Sequence, residues 1–195
     1  MKASMITAWW SLDPVLRIAL HTGLALLLLS AASHKLRGFR AFKAALAGYD
    51  LVSDRWLTEV SRLVIGFELV TGLSLLLLGG FVPALAVAAL LAMYTFAIAI
   101  NLRRGRRDID CGCAGPARHV PLGPGLVGRN ILLIAAALIA VLPATPRSLV
   151  WLDAVTVFAA VAMLALLYSA AETALANAGR LRSADHSLLT EAMES

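Results

Sequence analysis

The chain has 195 residues, of which 60% are hydrophobic and 15% charged, with a mean hydropathy of +0.82, where soluble domains sit near ~45–50% and ~25%. A water-soluble globular fold is thereby excluded, because the apolar surplus has to face lipid. The net charge of +5 comes from 17 Lys and Arg against 12 Asp and Glu; the basic residues gather in two interhelical segments rather than in a patch interleaved with aromatics, so they imply a lipid bilayer and no nucleic acid.

The first apolar run, residues 15–33, contains Ala25-Leu26-Leu27-Leu28-Leu29 and at ~1.5 Å per residue just crosses a ~30 Å hydrocarbon core. It reads as a transmembrane helix. The competing reading is a signal peptide, since Lys2 precedes the run and Ser30-Ala31-Ala32-Ser33 supplies the small residues that cleavage sites use. In the polar connection 34–55, Phe39, Phe42, Leu46 and Tyr49 recur at helical spacing between Lys35, Arg37, Arg40 and Lys43, the pattern of a short interfacial helix with His34 and Lys35 as an interface anchor. Two further crossings, 57–78 and 82–102, are separated only by Gly79-Gly80 and must form an antiparallel hairpin. A fourth, 126–142, ends at Pro143-Ala144-Thr145-Pro146, and a fifth spans 149–171.

These elements predict an all-α membrane protein: a four- to five-helix transmembrane bundle forming one polytopic domain over residues 1–178, with a polar, mobile tail at 179–195. Five crossings place segment 34–55, loop 103–125 and the tail on one face. That face carries Lys35, Arg37, Arg40, Lys43 and Arg103, Arg104, Arg106 and Arg107, which by the positive-inside rule is cytoplasmic.

Loop 103–125 holds the two cysteines of the chain, in Asp110-Cys111-Gly112-Cys113. Cα atoms two residues apart fall within the ~4.4–6.8 Å a disulfide needs, although so small a ring strains the bond and makes it easy to reduce. Gly112 relieves part of that strain. Arginines folding near the sulfurs, Arg107 among them, would stabilise thiolate and prepare it for exchange, whereas Asp108 and Asp110 act in the opposite sense. Two rival readings are small residues in a loop, and a zinc site built from Cys111, Cys113, His119 and His34; structural zinc favours Cys-x-x-Cys pairs, so no metal is expected.

Glu68 falls in the middle of the second crossing, where a carboxylate is costly enough to suggest function. Its alternative is a hydrogen bond to a neighbouring helix through Thr71, Ser74 or Asn101. Asn101 and Arg129-Asn130 lie at helix ends beside the cysteine loop, and an isolated Arg129 is expected to snorkel toward the interface. Tyr94 lies inside the third crossing, where ring packing competes with contact to a quinone. Gly66 and Gly72 suggest a close helix contact.

Ser33-His34-Lys35-Leu36, Phe42, Tyr49, Glu68 followed by Gly72, and Cys111-Gly112-Cys113-Ala114-Gly115 ahead of Arg129-Asn130 together resemble the MauE branch of the DoxX-like membrane proteins. The match runs from about Leu20 to Leu142. The resemblance implies a redox-associated protein of the bacterial inner membrane, needed with a thioredoxin-like partner for maturation of the disulfide-rich small subunit of methylamine dehydrogenase. It also implies periplasmic cysteines, against the arginine distribution. In layout alone the chain is similar to vitamin K epoxide reductase, which exchanges electrons between a quinone and an outer dithiol. A single Cys-x-Cys, however, cannot relay electrons between two internal pairs.

The expected function is therefore thiol–disulfide exchange by Cys111 and Cys113 with a thioredoxin-like or other disulfide-containing partner, with a membrane quinone as the cofactor considered. Glu68, Asn101, Arg129, His34 and Arg107 would support the pair, and Tyr94 and Arg129 would contact the quinone. The alternative is a non-catalytic membrane-complex subunit or assembly factor docking its partner through residues 39–49.

Overall fold

The computed structural model describes residues 11–106, 109–112 and 120–194, with side chains as far as residue 178. Six α-helices make up the described chain: α1 (Pro14–Arg37), α2 (Phe39–Gly48), α3 (Leu57–Leu77, entered through a 3-10 turn at Asp54–Trp56), α4 (Phe81–Arg103), α5 (Pro124–Ala140) and α6 (Trp151–Glu194). Four are long and apolar enough to cross a membrane: α1, α3 with its 3-10 turn, α4 and the 151–178 portion of α6. The 17-residue α5 is shorter, ~25 Å at ~1.5 Å per residue.

Each helix begins and ends for a local reason. Asp13 caps α1 by accepting the Val15 N–H at 2.8 Å, and Pro14 occupies the first helical position, where its missing N–H is not needed. Between α3 and α4, Gly79 and Gly80 take φ of +60° and +88°, left-handed values that let the chain reverse within two residues. The last helix differs from expectation: instead of ending near Ala171 it continues to Glu194. No proline interrupts it, and Leu175 and Ala176 find an apolar cluster to pack on, which extends the helix past the apolar run.

α1 occupies the centre, packing on α3, α5 and α6. Its Leu24, Ala25 and Leu28 meet Leu75 of α3, Ala84, Val87, Ala88, Leu90 and Leu91 of α4, and Ala137 and Ala140 of α5. A removable leader would leave that core without its middle, so the signal-peptide reading gives way to a packed transmembrane helix. Small residues set the approach distance. A Cβ on Gly72 would stand 3.0 Å from Leu29 Cγ and 3.4 Å from the Ala25 carbonyl oxygen, whereas Gly66 faces open space; only Gly72 makes the close contact.

One end of the bundle is tied by a single guanidinium. Arg147 Nε donates to Asp13 Oδ2 at 3.1 Å and its Nη2 to Asp153 Oδ1 at 2.9 Å, joining the N-termini of α1 and α6. Leu12 pairs with Pro143 and Thr145 alongside, and His21 Nε2 lies 3.1 Å from the Ala140 carbonyl oxygen. The opposite end carries α2 and the cysteine loop.

A candidate redox site beneath the interfacial helix

α2 folds back over the bundle after Gly38 and packs on α3. Its apolar face, Phe42, Ala45, Leu46 and Tyr49, turns inward as one wall of a cavity. Tyr49 is buried there, whereas Phe42 and Leu46 are half-buried.

The cysteine loop sits against that helix. Cys111 N–H donates to the Val120 carbonyl at 2.9 Å and Leu122 N–H to the Ile109 carbonyl at 3.1 Å, an antiparallel bridge centred on Asp110 and Pro121. The bridge clamps both arms of the loop. Gly112 takes φ +71°, and its N–H donates to Asp110 Oδ1 at 3.0 Å. A Cβ there would come within 3.3 Å of Ala45 Cβ and 3.4 Å of Phe42 Cδ2, so the turn needs glycine for its backbone angles and for its approach to α2. Asp110 thus shapes the turn.

Cys111 is buried, 7% exposed, in a cluster with Tyr49, Ile98, Val120, Leu122, Leu126 and Ala176. The Tyr49 hydroxyl reaches the Cys111 carbonyl oxygen at 3.4 Å. Cys113, Arg107, Asp108 and His119 lie outside the described residues.

Cys111 lines one side of a cavity of about 180 Å³ enclosed by α2, α3, α4 and residues 51–52, including Val60, Val64, Met93, Ala97 and Ile98. Lys35, Tyr49 and Tyr94 bring polar groups to its lining. Lys35 is 4% exposed and Glu68 fully buried, and the two form an ion pair. Tyr94 OH donates to Glu68 Oε1 at 2.7 Å, and Lys35 Nζ lies 3.4 Å from that hydroxyl. The rings of Phe42 and Tyr94 flank the ammonium, with centroids 5.0 and 4.7 Å away, close enough for cation–π attraction. Glu68 Oε2 is buried with no hydrogen-bond partner among the described residues.

This corrects two expectations. Lys35 is not an interface anchor: its ammonium is drawn inward because unpaired Glu68 would be prohibitively costly in an apolar bundle. Glu68 answers to Lys35 and Tyr94 rather than to Thr71, Ser74 or Asn101. His34, one residue earlier, is exposed on the outer side of α1 and does not line the cavity.

Arg129 does not snorkel. Its Nη1 pairs with Glu172 of α6, both side chains about nine-tenths buried (11% and 10% exposed). Its Nε and Nη2 donate to Asn130 Oδ1 at 3.3 and 3.0 Å, and it lies 5.6 Å over the Tyr168 ring. A buried acid on α6 gives the guanidinium a partner nearer than the interface. Asn101 is fully buried; its Nδ2 donates to the Ala97 carbonyl at 3.1 Å, and its Oδ1 has no hydrogen-bond partner among the described residues. The sequence placed Lys35 as an interface anchor and offered no role for Glu172. The available signal was Glu172, the one acid in the apolar stretch 154–178, and a lysine in the last turn of another apolar helix.

These features define a multi-pass helical membrane protein with a buried acid–base pair and a cysteine-bearing loop closing one cavity. The profile of the methylamine utilisation protein MauE family matches residues 13–143. The methylamine utilization protein MauE of Methylophilus methylotrophus is 34% identical over 163 residues, 82% of this chain and 86% of that protein. Those of Paracoccus denitrificans and Paracoccus versutus are each 36% identical, over 65% and 68% of this chain and 69% and 73% of their own lengths. No solved structure matches the chain. The chain belongs to the MauE family and is a multi-pass bacterial membrane protein.

Proposed function

We propose that this protein serves methylamine utilisation as a membrane thiol–disulfide redox protein, in which Cys111 and Cys113 exchange with a thioredoxin-like or other disulfide-containing partner during maturation of disulfide-bonded proteins. The observation that carries this reading is the shared cavity: Cys111 lines it together with Lys35, whose ammonium pairs with Glu68. Reducing a partner, one thiolate attacks the partner disulfide, a mixed disulfide forms, and the second cysteine displaces the partner as a dithiol. The pair is left as a disulfide, to be reset by a two-electron reductant; in reverse, the pair oxidises a partner dithiol and passes on two electrons.

A quinone fits the donors present. At about 180 Å³ the cavity is below the ~300–1,000 Å³ of sites for drug-sized ligands, so it suits a single ring, and Lys35 and Tyr94 would hold a carbonyl oxygen. A bound quinone would take up two electrons, and a quinol would supply them. Glu68 holds the Lys35 side chain in place beside the largely apolar lining.

The test is trapping. With Cys111 or Cys113 changed singly to Ser, one variant should accumulate a reductant-sensitive adduct with its partner, and the double variant should lose both adduct and methylamine-dependent growth. Full growth with Cys111→Ser/Cys113→Ser would end the proposal.

A further inference from the structure

The cysteine loop is held from two directions. One is its own antiparallel bridge, set against α2 at Gly112 as described above; the other is α6. Ala176 is buried in the same cluster as Cys111, Val120, Leu122 and Leu126, with Leu175 packed against it. Leu175 also fills the space that a side chain at Gly125 would need. One turn earlier on α6, Glu172 pairs with Arg129, which stands one turn after Leu126 on α5. The same short stretch of α6 therefore contributes an ion pair and two apolar contacts within a few residues of the loop's return arm.

The 151–171 portion of α6 is loosely seated. None of the most apolar stretch in its membrane-spanning portion is buried, and hollows of about 330 and 530 Å³ lie along its contact with α1. Among the described residues, its firm attachments are the Arg147 tie at its start and the segment around Glu172. A helix so held can lift at residues 168–176 without dismantling the α1–α3–α4–α5 core, which takes no buried residue from it.

We propose that Glu172 is a positioning residue: paired with Arg129, it clasps the 172–176 segment of α6 over the cysteine loop, and its release is the step that uncovers the Cys111 thiol. A thiol 7% exposed cannot meet a protein disulfide in line, so access requires an opening, and the clasp sets how often it occurs. The matched family region ends at residue 143, so Arg129 lies within it and the Glu172 half of the clasp lies beyond it. The idea deepens the redox reading only in what the opening is for; the clasp itself is a statement about access to one sulfur.

The experiment is the rate of maleimide alkylation of Cys111 in the full-length Cys113→Ser protein, purified in detergent. Glu172→Gln is expected to speed labelling roughly tenfold, corresponding to ~1.4 kcal/mol less free energy of opening. Glu172→Asp should restore much of the slow rate, and the exchanged pair Arg129→Glu/Glu172→Arg should restore it too. Arg147→Ala, which frees the far end of α6, controls for general loosening. Should Glu172→Gln misfold, Leu175→Ser probes the same clasp without touching a charge and is expected to speed labelling likewise. Unchanged labelling in Glu172→Gln and Leu175→Ser, or an equal rise in Arg147→Ala, overturns the proposal. Because labelling does not read turnover, loss of the redox reading through an active double cysteine variant would leave this result standing, and the reverse holds as well.

Discussion

Replacing Lys35 with methionine removes one half of an ion pair whose members are 4% and 0% exposed while keeping the length of the side chain. Glu68 is left with only the Tyr94 hydroxyl at 2.7 Å as a hydrogen-bond donor, and its second oxygen already has none among the described residues. Breaking a buried pair by deleting one partner costs about 3–5 kcal/mol, whereas exchanging both partners for apolar groups of similar volume is often neutral. Lys35→Met should therefore cost about 3 kcal/mol or more, and Lys35→Met/Glu68→Leu should recover most of it. Reversible unfolding by SDS in mixed micelles measures both, and the double-mutant cycle isolates the pair from the packing of Lys35 against Phe42 and Tyr94. A coupling energy below about 1 kcal/mol, with the two single losses simply adding, would refute the claim that Glu68 depends on this ammonium.

The same titration should separate the two glycines of α3: Gly72→Leu, forced against Leu29 and the Ala25 carbonyl, is expected to cost about 1–3 kcal/mol, and Gly66→Leu, facing open space, close to nothing. Gly112→Ala should lose about 1–2 kcal/mol through its left-handed backbone, and more than Gly105→Ala, whose φ is +75° with no neighbour within 4 Å; thermal unfolding of the two variants compares them directly. Hydrogen bonds from Arg147 hold the Asp13 carboxyl below its ordinary value of 3.8. A depressed folded value stabilises above the unfolded one, so this contribution is complete above about pH 4 and fades as pH falls through the lower folded value; a melting profile from pH 6 to pH 2.5 should show a step that Arg147→Ala abolishes.

The helices and the hairpin were legible in the sequence because lipid imposes a simple demand: roughly twenty apolar residues per crossing and turn-forming glycine or proline between them. The interfacial helix was legible for a related reason, since Phe42, Leu46 and Tyr49 recur at helical spacing. Glu68 stood out because a carboxylate amid apolar residues has no innocent explanation, and Cys111-Gly112-Cys113 because the chain has no other cysteine.

Which residue answers each buried charge could not be read that way. Lys35 and Glu68 are 33 residues apart and Arg129 and Glu172 are 43 apart; only the antiparallel seating of α1 on α3, and of α6 over the start of α5, brings them together. Hydropathy and turn chemistry act locally, so the residue order alone shows that this chain lies in a membrane, where its helices run and which few polar residues had to be accounted for. The tertiary structure decided that Lys35 points inward, that Arg129 meets α6, and that Cys111 shares a cavity with an acid–base pair, because pairing in an apolar interior depends on which helices touch and at what register.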